Sequence, residues 1–371
     1  MGIKHLNQFF IENCSPDAMC KMHLRNFAGR VLVVDTSIYL YKFIEKDALL
    51  ENLYLMISVF RKYHITPVFV FDGKPPPEKK ELLIKRKKEK DAAEEKYNDL
   101  RESIAGSASD TVRISQEMDK LKKRFIRVKD GDIVCAKQLM QAYGVAYLES
   151  SGESDQLCAY LVRHQFAYAC VSDDMDMFLY GCDRVLRHLS LIYHEAIVYT
   201  TGQILSELDM SMDSFQDILI MSGTDYNVRD HASLSGAMHM YALYRDQMSD
   251  EFLKSDAKKF CEWTAPPGLR FFEWQTLCSA NATANATSHT PNVEYFKQVF
   301  GQVPAGRKIG ESIMDVDKMR RMREMFDLDA YIRAHREELK SVMDHLPFRQ
   351  GDVDLPRLQQ IMRTDGFMFL N

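Results

Sequence analysis

The sequence predicts an α/β fold with a mostly parallel central sheet flanked by helices, on three observations. Short apolar runs recur at Val31–Val34, Pro67–Phe71, Val145–Leu148 and Tyr168–Val171. Between them lie stretches with apolar residues three and four apart, at Leu49–Tyr63, Ile133–Tyr143 and Asp155–His164. Acidic residues stand singly at the ends of the apolar runs. Continuous apolar runs suit strands buried on both faces, and strand–helix–strand order is the pattern of a parallel sheet.

Taken in order, VLVVD reads as a strand ending at Asp35, and Leu49–Tyr63 as the helix that follows. PVFVFD is the second strand, ending at Asp72. From Glu78 to about Val128 the pattern changes. KKELLIKRKKEKDAAEEKYNDLRE is highly charged and favours a helix, a polar break follows at Ala105–Asp110, and ISQEMDKLKKRFIRV brings the chain back. This segment reads as a helical hairpin inserted above the domain. The helix at Ile133–Tyr143, the strand VAYL, the helix at Asp155–His164 and the strand before Val171 complete the sheet pattern.

After Asp225 fewer signals remain. Ser279–Pro291 is a polar loop or linker, and Asp315–His345 is one or two amphipathic helices. LPRLQQIMRTDGFMFLN ends the chain with no evident role, and no internal repeat is visible.

Composition narrows the class. With 371 residues, 46% hydrophobic and 27% charged, the chain can bury one large core or two. No apolar run approaches the roughly 18 residues that span a bilayer, and MGIKHLNQFF lacks the apolar block of a signal peptide. The expected location is intracellular, with nothing to separate nucleus from cytoplasm. Eight cysteines are scattered without a CxxC pair, which favours reduced core thiols over a zinc site or disulfides. The NAT sequons at Asn281 and Asn285 carry no weight without secretion.

A net charge of −5 argues mildly against a nucleic-acid partner. The charges are separated, however. Lys79 to Lys90 holds seven basic residues against Glu81 and Glu89, and Lys120 to Lys129 holds six and no acid.

The acids carry the chemistry. Asp35 and Asp72 end strands, Glu153 and Asp155 follow the VAYL strand, and Asp174 and Asp176 follow AYACVS. In an open α/β sheet ligands gather beyond the carboxyl ends of the strands, so four segments deliver six acids to one edge. Asp225, after ILIMSGT, adds a seventh from a helix end. A single Asp after a strand is most often a helix cap or turn residue. Acids arriving from four strand ends are harder to explain that way. Carboxylates so gathered repel one another, and oxygen ligands without His or Cys suit Mg²⁺ or Mn²⁺. Two such ions can activate water and stabilise the leaving oxygen of a phosphodiester.

Six motifs then occur in order: MGIKHL, VLVVDTSIYLYKF, VFVFDGKPPPEKKELLIKR, GESDQLCAYL, VSDDMDMFLYG and SGTDYN. Together they resemble the flap-endonuclease/XPG family of 5′ nucleases over roughly residues 1–228. The resemblance implies a PIN-like nuclease core that hydrolyses DNA at 5′ flaps, at single-strand/double-strand junctions and from free 5′ ends. It places two Mg²⁺ ions, for which Mn²⁺ would substitute, on Asp35, Asp72, Glu153, Asp155, Asp174, Asp176 and Asp225. Asp155 stands where most members have Glu, as in the exonuclease branch. Lys79 and Arg86 match the catalytic basic pair, and Tyr41 matches an aromatic that stacks on a base near the cut. Gly2 and Lys74 fall beside the DNA junction. The inserted hairpin corresponds to a helical arch, with Lys120, Lys122, Lys123, Arg124 and Arg127 lining the path of a single strand.

The resemblance divides the chain into core segments at 1–77 and 131–228, the arch at 78–130, a divergent helical duplex-binding region at 229–278 and a C-terminal helical extension at 279–371. Departures begin after Asp225. In DYNVRDHASLSGAMHMYALYRDQ only Gly236 remains of the family's glycine pattern, which puts duplex grip and K⁺ binding in doubt. No sliding-clamp peptide is evident. Divergence of this kind resembles nucleases of large DNA viruses, whose place of action would be a viral replication site. Three alternatives keep the core: a Holliday-junction resolvase, an RNase, or an inactive DNA-binding scaffold, although no acid is lost.

Overall fold

Among the described residues seven strands form one sheet: β1 (Met19–His23), β2 (Val31–Asp35), β3 (Thr66–Phe71), β4 (Ala146–Glu149), β5 (Ala169–Val171), β6 (Arg184–Ser190) and β7 (Glu195–Thr200). Their order is β1-β7-β6-β5-β2-β3-β4. The five from β6 to β4 are parallel, and β7 and β1 add an antiparallel edge. The computed structural model describes residues 2–103, 111–226, 233–248, 271, 316–345 and 350–367. The expected polar break at 105–110 and the linker at 279–291, with Asn281 and Asn285, lie outside them.

Among the described residues the helices are α1 (Leu6–Asn13), α2 (Thr36–Glu45), α3 (Leu49–Lys62), α4 (Lys80–Ser103), α5 (Thr111–Arg124), α6 (Asp130–Ala142), α7 (Ser154–Arg163) and α8 (Asp176–Leu179). They continue as α9 (Thr201–Glu207), α10 (Met212–Met221), α11 (Leu234–Met248), α12 (Val316–Phe326), α13 (Leu328–Ala334), α14 (Arg336–His345) and α15 (Leu355–Thr364). The amphipathic segment near 315–345 is therefore three helices, not one or two.

Two units are distinguished. The sheet unit comprises Ser15–Ile204 and Leu328–Asn371, and the helical unit comprises Met1–Cys14 and Leu205–Asp327. In the sheet unit, strand alternation sorts side chains between two faces. Leu32, Val34, Phe69, Phe71, Ala169 and Val171 join one large core with α2, α3, α6 and α15. The opposite face takes α7, which packs against β2, β3 and β5. Helix α3 shows how the sequence dictates this: Leu50, Leu53, Met56, Ile57 and Phe60 recur at helical spacing and are all buried. Arg61 and Lys62 sit in its last turn, where the helix dipole favours cations.

The C-terminal stretch without a role in the sequence closes this core. Leu358 and Met362 of α15 are buried in it, and Asp354 caps the helix by accepting the Arg357 N–H at 3.1 Å. The approach relies on Gly144, whose φ is +65° and whose Cβ, if present, would lie 2.5 Å from the Asp352 carbonyl oxygen. Strands β1, β6 and β7 escaped the sequence reading. RVLRHLS and MCKMH carry charged residues, and a register shift between Arg187 and Ser190 breaks the alternation.

The inserted hairpin is α4 and α5, which pack on each other. Ala93 and Leu121 are buried there, Tyr97 meets Phe125 at 5.4 Å, and Arg127 bridges Asp91 and Glu94. In the helical unit, Phe10 of α1 stacks on Phe215 of α10 at 6.1 Å. Arg323 of α12 meets Asp213 at 3.4 Å and the buried Asp217 at 3.3 Å.

Candidate functional site

Because β5, β2, β3 and β4 are neighbours and parallel, their carboxyl ends share one edge. The chain steps from β2 to β3 to β4 and then returns to β5 on the other side of β2. That reversal is a topological switch point, where open α/β sheets hold ligands. Asp35 is the last residue of β2, and Asp72 follows β3 directly. Glu153 and Asp155 open α7 after β4, while Asp174 and Asp176 follow β5.

The capping explanation can be tested residue by residue. Asp35 holds the N-cap position of α2 and Glu153 that of α7, yet neither side chain makes a capping hydrogen bond. Asp35 is buried, and both its oxygens accept serine hydroxyls, from Ser154 at 3.1 Å and Ser172 at 2.9 Å. Asp72 is exposed and accepts the Ser154 N–H at 2.8 Å and the Ser37 hydroxyl. Asp174 is the exception with a local turn, accepting the Asp176 N–H at 3.1 Å.

Electrostatics tie these acids together. Burial, then the charges of Asp72 and Asp174, push Asp35 up to about 7, against the pull of the two serines. Burial raises Asp155 well above the usual carboxylate range, helped by Asp35, Asp174, Asp72 and Glu153. Five carboxylates thus share one field, and a cation is the natural counter-charge. Among the described residues no three side chains converge as a closed ligand set. The oxygens of Asp35 and Asp72 turn instead to serines, and Glu153 turns to Lys79. The donor set, all carboxylate and free of His and Cys, fits a hard divalent ion.

Lys79 ion-pairs with Glu153, and the two side chains are only 13% and 14% exposed. Arg86, half-buried, lies two turns further along the arch base on α4. Tyr41 on α2 is 39% exposed, with the Lys90 ammonium 4.9 Å from its ring centroid. Burial, with the charges of Arg127 and Arg86, lowers the pKa of Lys90. Lys74 donates its N–H to the Ser151 carbonyl at 3.3 Å. On the arch, Lys122 pairs with Asp47 at 2.5 Å and Lys123 with Glu45 at 3.1 Å, while Arg127 is held by Asp91 and Glu94. Lys120 and Arg124 are exposed on α5. Gly2 and Asp225 belong to the helical unit, Asp225 on the loop after α10, and their roles rest on the motifs alone.

Three participants went unread in the sequence. Ser37, Ser154 and Ser172 hold the acids, and the last two stand inside the GESD and VSDD motifs. Asp173, beside Asp174, faces elsewhere: it pairs with Lys42 and accepts the His188 N–H at 2.7 Å. Burial would raise its pKa, but the His188 amide and Lys42 overcome that and hold it low. Adjacent acids give no sequence signal of which one turns away.

Comparison with known proteins bears on the whole arrangement. Residues 1–93 match the XPG N-terminal domain and residues 144–225 the XPG I-region. Flap endonuclease 1 of Ajellomyces capsulatus (strain NAm1 / WU24) is 30% identical over 299 residues, covering 75% of this chain and 72% of that protein. The chain belongs to the XPG-type flap endonuclease family. Flap endonuclease 1-A of Sorghum bicolor is 28% identical over 292 residues, 70% of this chain and 74% of that protein. Among solved structures, the catalytic core of Rad2 in complex with DNA substrate superposes with a TM-score of 0.60 at 19% identity. That match covers 99% of this chain and 96% of the Rad2 core, and it supports the PIN-like α/β fold. The two family segments leave out residues 94–143, which hold most of the arch, and everything beyond 225.

Proposed function

We propose that this family member is a magnesium-dependent, structure-specific 5′ nuclease acting on DNA at 5′ flaps, at single-strand/double-strand junctions and from 5′ ends. The observation that carries the reading is the delivery of six acids from four parallel strand ends to the switch-point edge. Asp35, Asp72, Glu153, Asp155, Asp174 and Asp176 would hold two Mg²⁺ ions, and Mn²⁺ would replace them. Bound there, the ions supply an activated water and charge stabilisation at the phosphodiester.

The chain's own groups set the rest of the chemistry. Ser154 and Ser172 fix the Asp35 carboxylate by its two oxygens, so its orientation is set before substrate arrives. Lys79, shielded from water and paired with Glu153, keeps a cation where a scissile phosphate meets the acids. Arg86 adds a second, and a guanidinium suits phosphate oxygens. Tyr41 offers a face for a base beside the cut. The exposed cations of α5 would grip the single-stranded backbone without reading sequence. Replication, recombination and repair all need such a cut, and the action is intracellular.

The test is cleavage of a 5′-flap duplex labelled on the flap strand, with nicked and four-way DNA beside it, with and without Mg²⁺. Cutting at the junction that requires metal and is lost in Asp174→Ala supports the reading. Folded protein that cuts none of the three substrates sinks it in favour of a scaffold, and preference for four-way DNA would make it a resolvase.

A further inference from the structure

The C-terminal helices α13 and α14 lie beyond the matched family segments, yet in the sheet unit they reach the loop that carries Glu153. Helix α13 packs on α7, with Leu328 and Tyr331 buried, and Leu339 anchors α14. The half-buried Glu338 accepts the N–H of Ser151 through Oε1 at 3.2 Å.

The backbone of this loop can be accounted for bond by bond. Ser150 donates its N–H to the Phe71 carbonyl at 3.0 Å, and Gly152 donates to Ser150 Oγ at 3.3 Å. Ser150 Oγ in turn donates to the Glu153 carbonyl at 3.0 Å. On the acceptor side, Gly73 donates to the Gly152 carbonyl at 2.7 Å and Lys74 to the Ser151 carbonyl at 3.3 Å. The acids Asp72 and Glu153 are thereby coupled through residues 150–152. Every one of these partners is local to the two strand ends except Glu338, which is 187 residues away from Ser151. Tyr331 packs its phenol beside Ser150 and Glu338, where burial pushes it up to about 12.

We infer that Glu338, backed by Tyr331, is a positioning residue that holds the 150–153 loop so that Glu153 and Asp155 are presented to the metal ions. The inference rests on the metal-binding reading above. It gives the C-terminal extension a part in the site: the extension grips the acid-bearing loop from behind and touches neither substrate nor metal. An outer partner of this kind typically governs metal affinity by 10- to 100-fold.

The test is calorimetric titration of Mn²⁺ into the full chain without DNA, together with backbone amide exchange. Glu338→Ala should weaken Mn²⁺ binding by about tenfold and speed exchange at Ser151 and Gly152. Glu338→Gln, which keeps an acceptor oxygen, should restore both. If Glu338→Ala fails to fold, Glu338→Met keeps the side-chain length without an acceptor and carries the same expectation. Parental affinity in Glu338→Ala or Glu338→Met overturns the inference. So does a Gln variant as weak as Ala, because the lost charge and not the hydrogen bond would then be responsible. Parent protein that takes up no Mn²⁺ brings down the metal-binding reading along with it.

Discussion

Gly73 lies against the carbonyl of Ser150 so closely that a Cβ on Gly73 would overlap that oxygen and come within 2.8 Å of the Ser151 carbonyl carbon and oxygen. These are backbone atoms, tied by the Gly73 N–H to the Gly152 carbonyl, so they cannot turn aside as a side chain would. Gly73→Ala should therefore push the loop that carries Glu153 away from Asp72. The expected cost is about 1–3 kcal/mol of stability, typical of overpacking, with a larger loss in cleavage rate. A thermal melt and flap cleavage check it, and an Ala variant with parental activity would refute the close approach.

Lys79 and Arg86 predict different failures. Lys79 is shielded and paired with Glu153, so Lys79→Met takes a cation from that carboxylate as well as a donor from the phosphate. Arg86 lies two turns further along, on α4. Lys79→Met and Arg86→Met should each lose about 10²–10³ in kcat, the usual cost of removing a charge-stabilising donor. Only Lys79→Met should also shift the Mg²⁺ concentration needed for half-maximal cleavage. Identical Mg²⁺ profiles for the two variants would contradict the pairing.

What the sequence made legible follows from the range of the interaction. A strand that ends in an acid is a local pattern, and Asp35 and Asp72 could be placed on one edge from VLVVD and PVFVFD alone. Parallel pairing then brought Glu153 and Asp174 beside them. Hydrogen bonds across the sheet leave no such trace: Ser172 is 137 residues from Asp35, and Glu338 is 187 from Ser151. Charged strands such as β6 were hidden because Arg187 is buried with its guanidinium over Tyr199 at 5.3 Å, a place where sequence patterns expect an apolar residue. The C-terminal helix α15 fills a core layer through Leu358 and Met362, which its own short segment could not announce.

The cysteines should sort by position. Cys158, Cys170 and Cys182 are buried, and burial pushes Cys158 up to about 12 and the other two well above the usual thiol range. Cys20 and Cys135 are exposed. Because the thiolate is the reactive form, iodoacetamide on native protein should label Cys20 and Cys135 and spare the buried three until denaturant is added. Mass-spectrometric mapping checks it, and early modification of Cys170 would show that the face under α7 opens readily.

The most discriminating prediction concerns Asp35 in the metal-free protein. Burial and the charges of Asp72 and Asp174 lift it to about 7, against about 3.9 for an aspartate in an unfolded chain. The folded chain then binds this proton more tightly than the unfolded chain does. Its contribution to stability is fully present below about pH 4 and is lost as pH rises through about 7. Asp155 is displaced in the same direction and adds to the trend. Asp35→Asn removes the charge while keeping a group that the Ser154 and Ser172 hydroxyls can meet, since a hydroxyl both donates and accepts. In chelator, the variant should melt at about the parental temperature near pH 4 and progressively above it towards pH 8. Removing the Asp35 charge also relieves Asp155, so the difference between the two melting curves reads the mutual repulsion of these acids. Saturating Mg²⁺ should narrow or reverse the gap, because the ion stabilises the parent by binding to charges that the variant has given up. A parent that remains the more stable protein at pH 8 in chelator would mean that the acids at this edge do not repel one another, and the electrostatic case for a metal site would fall with that result.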